Sequence, residues 1–141
     1  MTGDDDEEQA YHEQCAYTLT LGDPEFIHQH VVDAYAAQRA TDRTKPIAVV
    51  FSLLGLYLHV EHRWTGRQVQ RAHMAMAREK RRWPVFVLPT DRGAIRAPDV
   101  LSKRGAERND AIHAWCAAVW MAFAENRGTI IRILDEHGIH P

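Results

Sequence analysis

The chain has 141 residues, 45% of them hydrophobic, which suits one globular domain with a sizeable core and leaves no room for a second. Seventeen Lys and Arg residues against nineteen Asp and Glu residues give a formal charge of −2, so the overall field does not favour nucleic acid or an acidic membrane. The two cysteines, Cys15 and Cys116, exclude a disulfide scaffold and a thiolate zinc finger within this chain.

Location in the cell is predicted from the same features. The N-terminus is acidic, unlike a signal peptide, and the longest apolar run, residues 47–60, is shorter than the roughly 20 residues of a membrane span. The scarcity of cysteine fits a reducing compartment. We therefore expect a cytoplasmic protein with no membrane contact.

The first elements in the chain are an arm and a long helix. Residues 1–10 concentrate like charge and lack apolar periodicity, which predicts a disordered acidic arm followed by a single helical domain over residues 11–141. Asp23 as a cap and Pro24 at the first helical position predict that the first long helix begins there and runs through Gln38.

Two more helices follow. Pro46 opens a helix that is apolar nearly all round and extends to about Arg63, which predicts a central position in the fold. Thr65, with Gln68 three residues later, forms a capping box that starts the next helix, and Trp83-Pro84 ends it after Arg82.

The rest of the chain combines a loop and a last helix. Residues 83–109 contain three prolines and no helical period, which predicts an irregular crossover loop with one helical turn near Asp99. Asn109 or Asp110 caps a last long helix, which Gly128 kinks or splits and Gly138 ends. Together these elements predict an all-α fold, an antiparallel bundle of four to five helices with one irregular crossover loop at about 83–109.

Polar side chains on the first long helix indicate a site. At 100° per residue, His28 and Tyr35 share one flank, and Gln38 lies at the end of the apolar stripe. An imidazole suits a general base or a ligand, and a phenol or amide beside it could orient a bound group. His28, Tyr35 and Gln38 are therefore the candidate catalytic residues, although the sequence does not decide whether the protein is an enzyme.

A divalent metal is the cofactor that the sequence allows. On the second long helix, Ser52, Gly55 and His59 fall on one side, so small residues would let a ligand approach the imidazole. Helical bundles build metal centres from imidazoles and carboxylates on facing helices, although no Glu-x-x-His pair occurs here. The candidate ligands are His28, His59, His62 and Glu61, with His113 as a further candidate.

Two other functions stay open. The polar residues could be a buried hydrogen-bond network that fixes helix register in a protein interaction module. The basic face of residues 63–82 could bind phosphate or nucleic acid weakly, but it lacks interleaved aromatic residues. We therefore expect a small-molecule or protein partner rather than nucleic acid.

Five segments together resemble a known family. They are GDPEFIHQHVVDAYAAQ, VVFSLLGLYLHVE, Trp83-Pro84, Asp99-Val100-Leu101 and residues 115–120. They are similar to the bacterial proteins grouped as domain of unknown function 5946, over most of residues 11–135. The resemblance implies no activity, but the pattern matches Cys15, His28, Asp33, Tyr35, Gln38 and Glu61. This chain differs in lacking the cysteine-rich N-terminal segment that suggests zinc in many relatives, and in having Ser52 where a histidine is expected.

Overall fold

The computed structural model describes residues 3–79 and 81–141, and every regular element in these ranges is a helix. The predicted all-α bundle is confirmed, with more and shorter helices than the four to five expected. A 3₁₀ turn, Ala124–Asn126, separates the last two helices. The α-helices are α1 (Gly3–Thr20), α2 (His28–Arg39), α3 (Pro46–His62), α4 (Gly66–Ala77), α5 (Ala97–Leu101), α6 (Gly105–Ala122) and α7 (Arg127–Glu136).

Helix α3 is the centre of the bundle, as its apolar sequence predicts. It packs against α2, α4, α6 and α7, and its leucines Leu53, Leu54 and Leu58 are completely buried. Burying one such side chain stabilises the fold by about 1.5–3 kcal/mol, so α3 holds its neighbours together. Within the described ranges, no helix is both long and apolar enough to cross a bilayer.

Helix α2 begins later than the sequence predicts. Asp23 stabilises a turn ahead of the helix, because its carboxylate accepts hydrogen bonds from the backbone N–H of Glu25 at 2.9 Å and of Ile27 at 3.0 Å, but the residue that caps α2 is Ile27. Phe26, however, has φ of 61°, a left-handed conformation that a right-handed helix cannot include. The prediction of a helix starting at Asp23 is therefore wrong, and α2 starts at His28.

Helix α1 differs from the disordered arm predicted for residues 1–10. Ala10, Gln14 and Thr18 recur at four-residue spacing and are buried against the bundle, where α1 contacts α2 and α5. Glu7 pairs with Arg39 at 3.1 Å, so acidic residues of this segment find partners on the domain. The first two residues of the predicted arm lie outside the described ranges.

The second half of the chain follows the predicted order with shifted boundaries. The capping box of Thr65 and Gln68 is confirmed, but α4 ends at Ala77 rather than near Arg82. The crossover holds α5, and α6 begins at Gly105, ahead of the predicted caps. The break before α7 lies at Ala124–Asn126 rather than at Gly128, because the buried Asn126 side chain binds both the N–H (3.0 Å) and the C=O (2.8 Å) of Val87.

Candidate functional site

A cavity of about 590 Å³ opens beside the loop between α1 and α2. Helices α2, α3 and α6 form its floor, and the turn after α3 forms one rim. This is the volume that small-molecule sites usually have. Its lining residues are Leu21, Asp23, Glu25, Ile27, His30, His59, Arg63, Trp64, Thr65, Asn109 and His113.

Three imidazoles meet on the floor of this cavity, one from each of α2, α3 and α6. The ring of His30 stacks on the ring of His59, with centroids 3.6 Å apart and planes at 19°. Nδ1 of His113 lies 2.9 Å from Nε2 of His59, and the His30 and His113 ring centroids are 6.2 Å apart. These residues form the histidine cluster.

A backbone carbonyl fixes the direction of the hydrogen bonds in the histidine cluster. Nδ1 of His59 lies 3.1 Å from the carbonyl oxygen of Trp64, which can only accept. Nδ1 of His59 must therefore carry the proton, so Nε2 of a neutral His59 is an acceptor and Nδ1 of His113 donates to it. When His113 is neutral, its remaining nitrogen, Nε2, carries a lone pair.

Burial keeps two of the three rings neutral at ordinary pH. It lowers the pKa of His30 to about 2, with further lowering by His59 and His113. Burial likewise lowers the pKa of His59 to about 4, against the opposing effect of its hydrogen bond to Trp64. Nδ1 of His30 is buried and has no hydrogen-bond partner among the described residues. The cluster is therefore uncharged in two rings and incompletely hydrogen-bonded.

Of the predicted metal ligands, His59 and the further candidate His113 come together, and the others bond elsewhere. His59 belongs to the histidine cluster, whereas Nε2 of His62 forms a 2.8 Å hydrogen bond with the hydroxyl group of Tyr57 on α3. Glu61 forms a salt bridge with Arg127 at 2.8 Å and accepts a hydrogen bond from Trp120, and the Arg127 bond is the main cause that lowers its pKa. No group of three or more His, Cys, Asp or Glu side chains in the described part of the chain is arranged to hold a metal ion.

The predicted catalytic residues point to different neighbours. Nδ1 of His28 lies 2.9 Å from the Thr18 hydroxyl on α1, and burial lowers the pKa of His28. The Tyr35 ring stacks on Tyr11 of α1 with centroids 3.8 Å apart. Both residues therefore contribute to the packing of α1 on α2 rather than to the cavity lining.

Gln38, the third predicted catalytic residue, joins three parts of the fold. Its Nε2 donates to the carbonyls of Ile95 at 2.7 Å and Arg92 at 3.2 Å, and its Oε1 accepts from the indole of Trp115 at 3.1 Å. The side chain is buried with both ends bonded. The arrangement holds the crossover loop to α2 and α6.

Asp33 occupies the contact between α2 and α3. Its Oδ1 accepts a hydrogen bond from Gln29 at 3.1 Å, and its Oδ2 lies against Gly55, where a Cβ atom would overlap it. The small residue that the sequence singled out on α3 thus admits a carboxyl group. Complete burial raises the pKa of Asp33 well above its ordinary value, which favours the protonated acid.

His30 is the cavity residue that sequence reasoning missed. A helical wheel of α2 places it apart from the stripe of Ile27, Val31 and Ala34, yet it is 3% exposed. Its side of α2 is covered by α6, whose Cys116 approaches the His30 carbonyl at 3.5 Å. The sequence gives one weak signal that this second side is covered. Ala37, a small apolar residue, lies on the same side of α2 as His30, and it is also buried.

Comparison with known proteins gives a family and no function. The model of a family of unknown function, DUF5946, matches residues 8–124. That range includes all three residues of the histidine cluster. The chain matches no curated protein and no solved structure.

Proposed function

We propose that this chain, which belongs to the family of unknown function DUF5946, binds a small polar molecule in the cavity at the histidine cluster. The ligand donates a hydrogen bond to Nε2 of His113. The observation that carries the proposal is the ordered chain of bonds from the Trp64 carbonyl through His59 to His113. This series of hydrogen bonds leaves the lone pair on Nε2 of a neutral His113 available at the cavity wall.

Two features of the histidine cluster favour a ligand-binding role over a purely structural one. Buried polar groups in a structural network are normally saturated, because an unpaired donor or acceptor costs about 1–3 kcal/mol. His30 has an unpaired Nδ1, and His113 is exposed to solvent. An open cavity with a few convergent polar groups is typical of a ligand site.

The remaining lining supports a neutral or cationic ligand that donates hydrogen bonds. Asp23 and Glu25 contribute two carboxylates at the rim, against the single guanidinium of Arg63. His59 and His30 are neutral, so they add no positive charge. Carboxylates therefore outnumber guanidinium groups around the cavity. Alcohols, amides and primary amines, which donate hydrogen bonds, are the ligands that match this lining.

The tautomers are tested first, because the proposal depends on them. Long-range ¹H–¹⁵N NMR of the imidazoles at pH 8 should show His59 protonated at Nδ1 and His113 protonated at Nδ1 with a free Nε2. A proton on Nε2 of neutral His113 would contradict the proposed acceptor. The exposed His140 serves as the reference signal, since its ring lies outside the cavity.

Binding is tested with a set of small alcohols, amides and primary amines. Members that bind should shift the Nε2 resonance of His113, and a His113→Ala variant should lose binding at least about tenfold while staying folded, although Nε2 of His59 loses its donor. The matched control is His12→Ala, an exposed histidine on α1. A His113→Ala variant that binds as well as the His12→Ala control would overturn the proposal.

Metal binding at the same cluster is the competing outcome. Nε2 of His59 and Nδ1 of His113 are close enough for one ion to replace the proton between them, although a full ligand set is lacking within the described ranges. Zinc titration followed by the same imidazole resonances separates the two. Stoichiometric zinc binding that shifts both nitrogens, with no response to organic probes, would replace the proposed ligand class.

A further inference from the structure

The charged side chains of the cavity at the histidine cluster come from two segments of the chain. Asp23 and Glu25 belong to the loop between α1 and α2, and Arg63 belongs to the turn after α3. The cavity therefore has an acidic wall and a basic wall, in addition to the acceptor nitrogen of His113.

The fold already satisfies the carboxylate of Asp23. Its two oxygens accept hydrogen bonds from the backbone N–H groups of Glu25 and Ile27, at 2.9 and 3.0 Å. These bonds compensate part of the Asp23 charge within the loop. The carboxylate on the acidic wall that remains for a ligand is that of Glu25.

Glu25 carries its carboxylate on a backbone that is held at both ends. Its N–H donates to Asp23, and its C=O accepts a hydrogen bond from the backbone N–H of Arg67 at 3.0 Å. The Arg67 side chain is bound elsewhere, because its Nη1 donates to Gln70 at 3.1 Å and the group lies over the Phe26 ring at 4.8 Å. Within the described ranges, the Glu25 carboxylate has no hydrogen-bond or ion-pair partner.

Arg63 is the basic counterpart of Glu25. Its backbone is fixed by the left-handed turn that ends α3, where its N–H donates to the His59 carbonyl at 2.9 Å. In the part of the chain that the structure describes, its guanidinium group has no partner and forms no salt bridge with Glu25. Thr65, on the same turn, accepts the backbone N–H of Gln68 at 3.2 Å and keeps its hydroxyl hydrogen for another acceptor. The turn after α3 therefore offers donors to an anionic group.

The remaining lining includes an apolar surface. Ile27 is buried, Trp64 is half-buried, and Leu21, although it lines the cavity, is 41% exposed. An apolar group of a ligand that covered Leu21 would remove this surface from water, which is favourable. The cavity thus combines an acceptor wall, a donor wall and an apolar surface.

We propose that this cavity binds a free amino acid with an apolar side chain. Its carboxylate lies at Arg63, and its ammonium group lies at Glu25 and His113. Its side chain packs against Leu21. The inference rests on the proposed function, since the ammonium group is the hydrogen-bond donor that Nε2 of His113 requires.

Charge complementarity selects the zwitterion over simpler ligands. One carboxylate and one guanidinium group, both without partners among the described residues, match a ligand that carries one charge of each sign. A simple amine would leave Arg63 without an ion pair. A simple carboxylic acid would leave both Glu25 and His113 without a donor.

The experiment compares probes of one shape by titration calorimetry with the full chain at pH 7. Leucine carries both charged groups, 3-methylbutylamine lacks only the carboxylate, and 4-methylpentanoate lacks only the ammonium group. Leucine should bind at least about tenfold more tightly than either, because each truncation removes charge-assisted hydrogen bonds. Glycine, which lacks the apolar side chain, should also bind more weakly than leucine.

Two variants should act on different probes. Arg63→Gln should weaken leucine binding at least about tenfold and leave 3-methylbutylamine unchanged, because only leucine has a carboxylate for that wall. Glu25→Gln should weaken both. The matched controls are Arg71→Gln on α4 and Glu13→Gln on α1, exposed positions outside the cavity lining, which should bind leucine as the unaltered chain does. The comparison of probes needs no variant, so it decides even if a variant is unstable.

The outcomes distinguish this inference from the proposed function. If 3-methylbutylamine binds as tightly as leucine and Arg63→Gln changes neither, the amino acid is overturned and a donor ligand at His113 remains. If an alcohol or amide binds and leucine does not, the amino acid alone is again overturned. If 4-methylpentanoate binds as tightly as leucine, both are overturned, because that ligand has no donor for His113. Glycine binding as tightly as leucine overturns the apolar side chain.

Discussion

Two buried polar groups on α2 behave in opposite ways. Gln38 has both ends of its amide bonded, to Trp115 on α6 and to two carbonyls of the crossover loop. His30, two turns earlier, has a buried Nδ1 without a partner among the described residues and stacks on another neutral imidazole at the cavity floor. The first arrangement is saturated, and the second is not.

The difference separates a polar group whose bonds the fold already satisfies from one that lies beside a cavity with a bond still to be made. A saturated network contributes stability and a fixed register, and a ligand would have to break a bond to enter it. An unsaturated cluster beside an open cavity costs free energy in the unliganded state. The predictions below compare these two kinds of group by their effects on stability and pH dependence.

The largest effect is expected at the saturated group. Gln38→Leu should lower the free energy of unfolding by about 3 kcal/mol or more, because it leaves the buried indole N–H of Trp115 and two carbonyls without a partner. Urea unfolding measures this. Gln9→Leu, at an exposed position of α1, should change stability by less than about 0.5 kcal/mol. A loss below about 1 kcal/mol at Gln38 would mean that water replaces its bonds.

A pH-dependent loss of stability is expected from the histidines. Burial lowers the pKa of His59 to about 4 and of His30 to about 2 in the folded state, so the unfolded chain binds more protons below pH 6.5. Stability is therefore present above pH 6.5 and falls as the pH is lowered, by up to roughly 1.4 kcal/mol per pH unit for each histidine. His73, whose pKa burial also lowers to about 4, adds a fall of the same sign.

The contribution of the cluster is isolated by comparing the unaltered chain with His30→Leu. Unfolding curves at pH 7, 6 and 5 should show a shallower fall in the variant, because one buried imidazole no longer gains a proton on unfolding. Parallel profiles would show that the pKa of His30 is the same in the folded and unfolded states, so that the ring is protonated in the folded protein at pH 5. That result would also contradict the neutral cluster used in the proposed function.

The smallest effect is expected at Asp33. Its folded-state pKa is raised above 3.8, so its contribution to stability is present below pH 3.8 and is lost as the pH rises through the folded value. Asp33→Asn keeps the shape beside Gly55 and removes the ionisation. It should stabilise the protein by about 1 kcal/mol at pH 8 and by less at pH 4. Equal effects at both pH values would mean that Asp33 is ionised in the fold.

Much of the fold follows from local signals. Pro46 and the Thr65–Gln68 capping box determine helix starts by contacts within one turn, and the apolar composition of α3 predicts its central position. The start of α2 could not be predicted, because the left-handed Phe26 depends on tertiary packing. The Phe26 carbonyl lies where a Cβ atom at Gly66 would be, and Arg67 lies over the Phe26 ring at 4.8 Å.

The candidate site was only partly predictable for a similar reason. His59 could be placed on an inward stripe of α3 from its spacing with Gly55. The partners of His59 depend on how α2 and α6 pack, since 54 positions separate it from His113. Single-helix periodicity does not determine such contacts, and it placed His28 and Tyr35 on one flank without indicating that α1 covers both.

The end of α3 has a consequence for proton chemistry. Arg63 adopts a left-handed conformation, φ 57°, and its N–H still bonds back to the His59 carbonyl at 2.9 Å. This reversal brings the next carbonyl, that of Trp64, to the His59 ring. The way in which one helix stops thus selects which tautomer two side chains adopt. A change in that turn would reverse the polarity of the cavity wall without altering any residue that lines its floor.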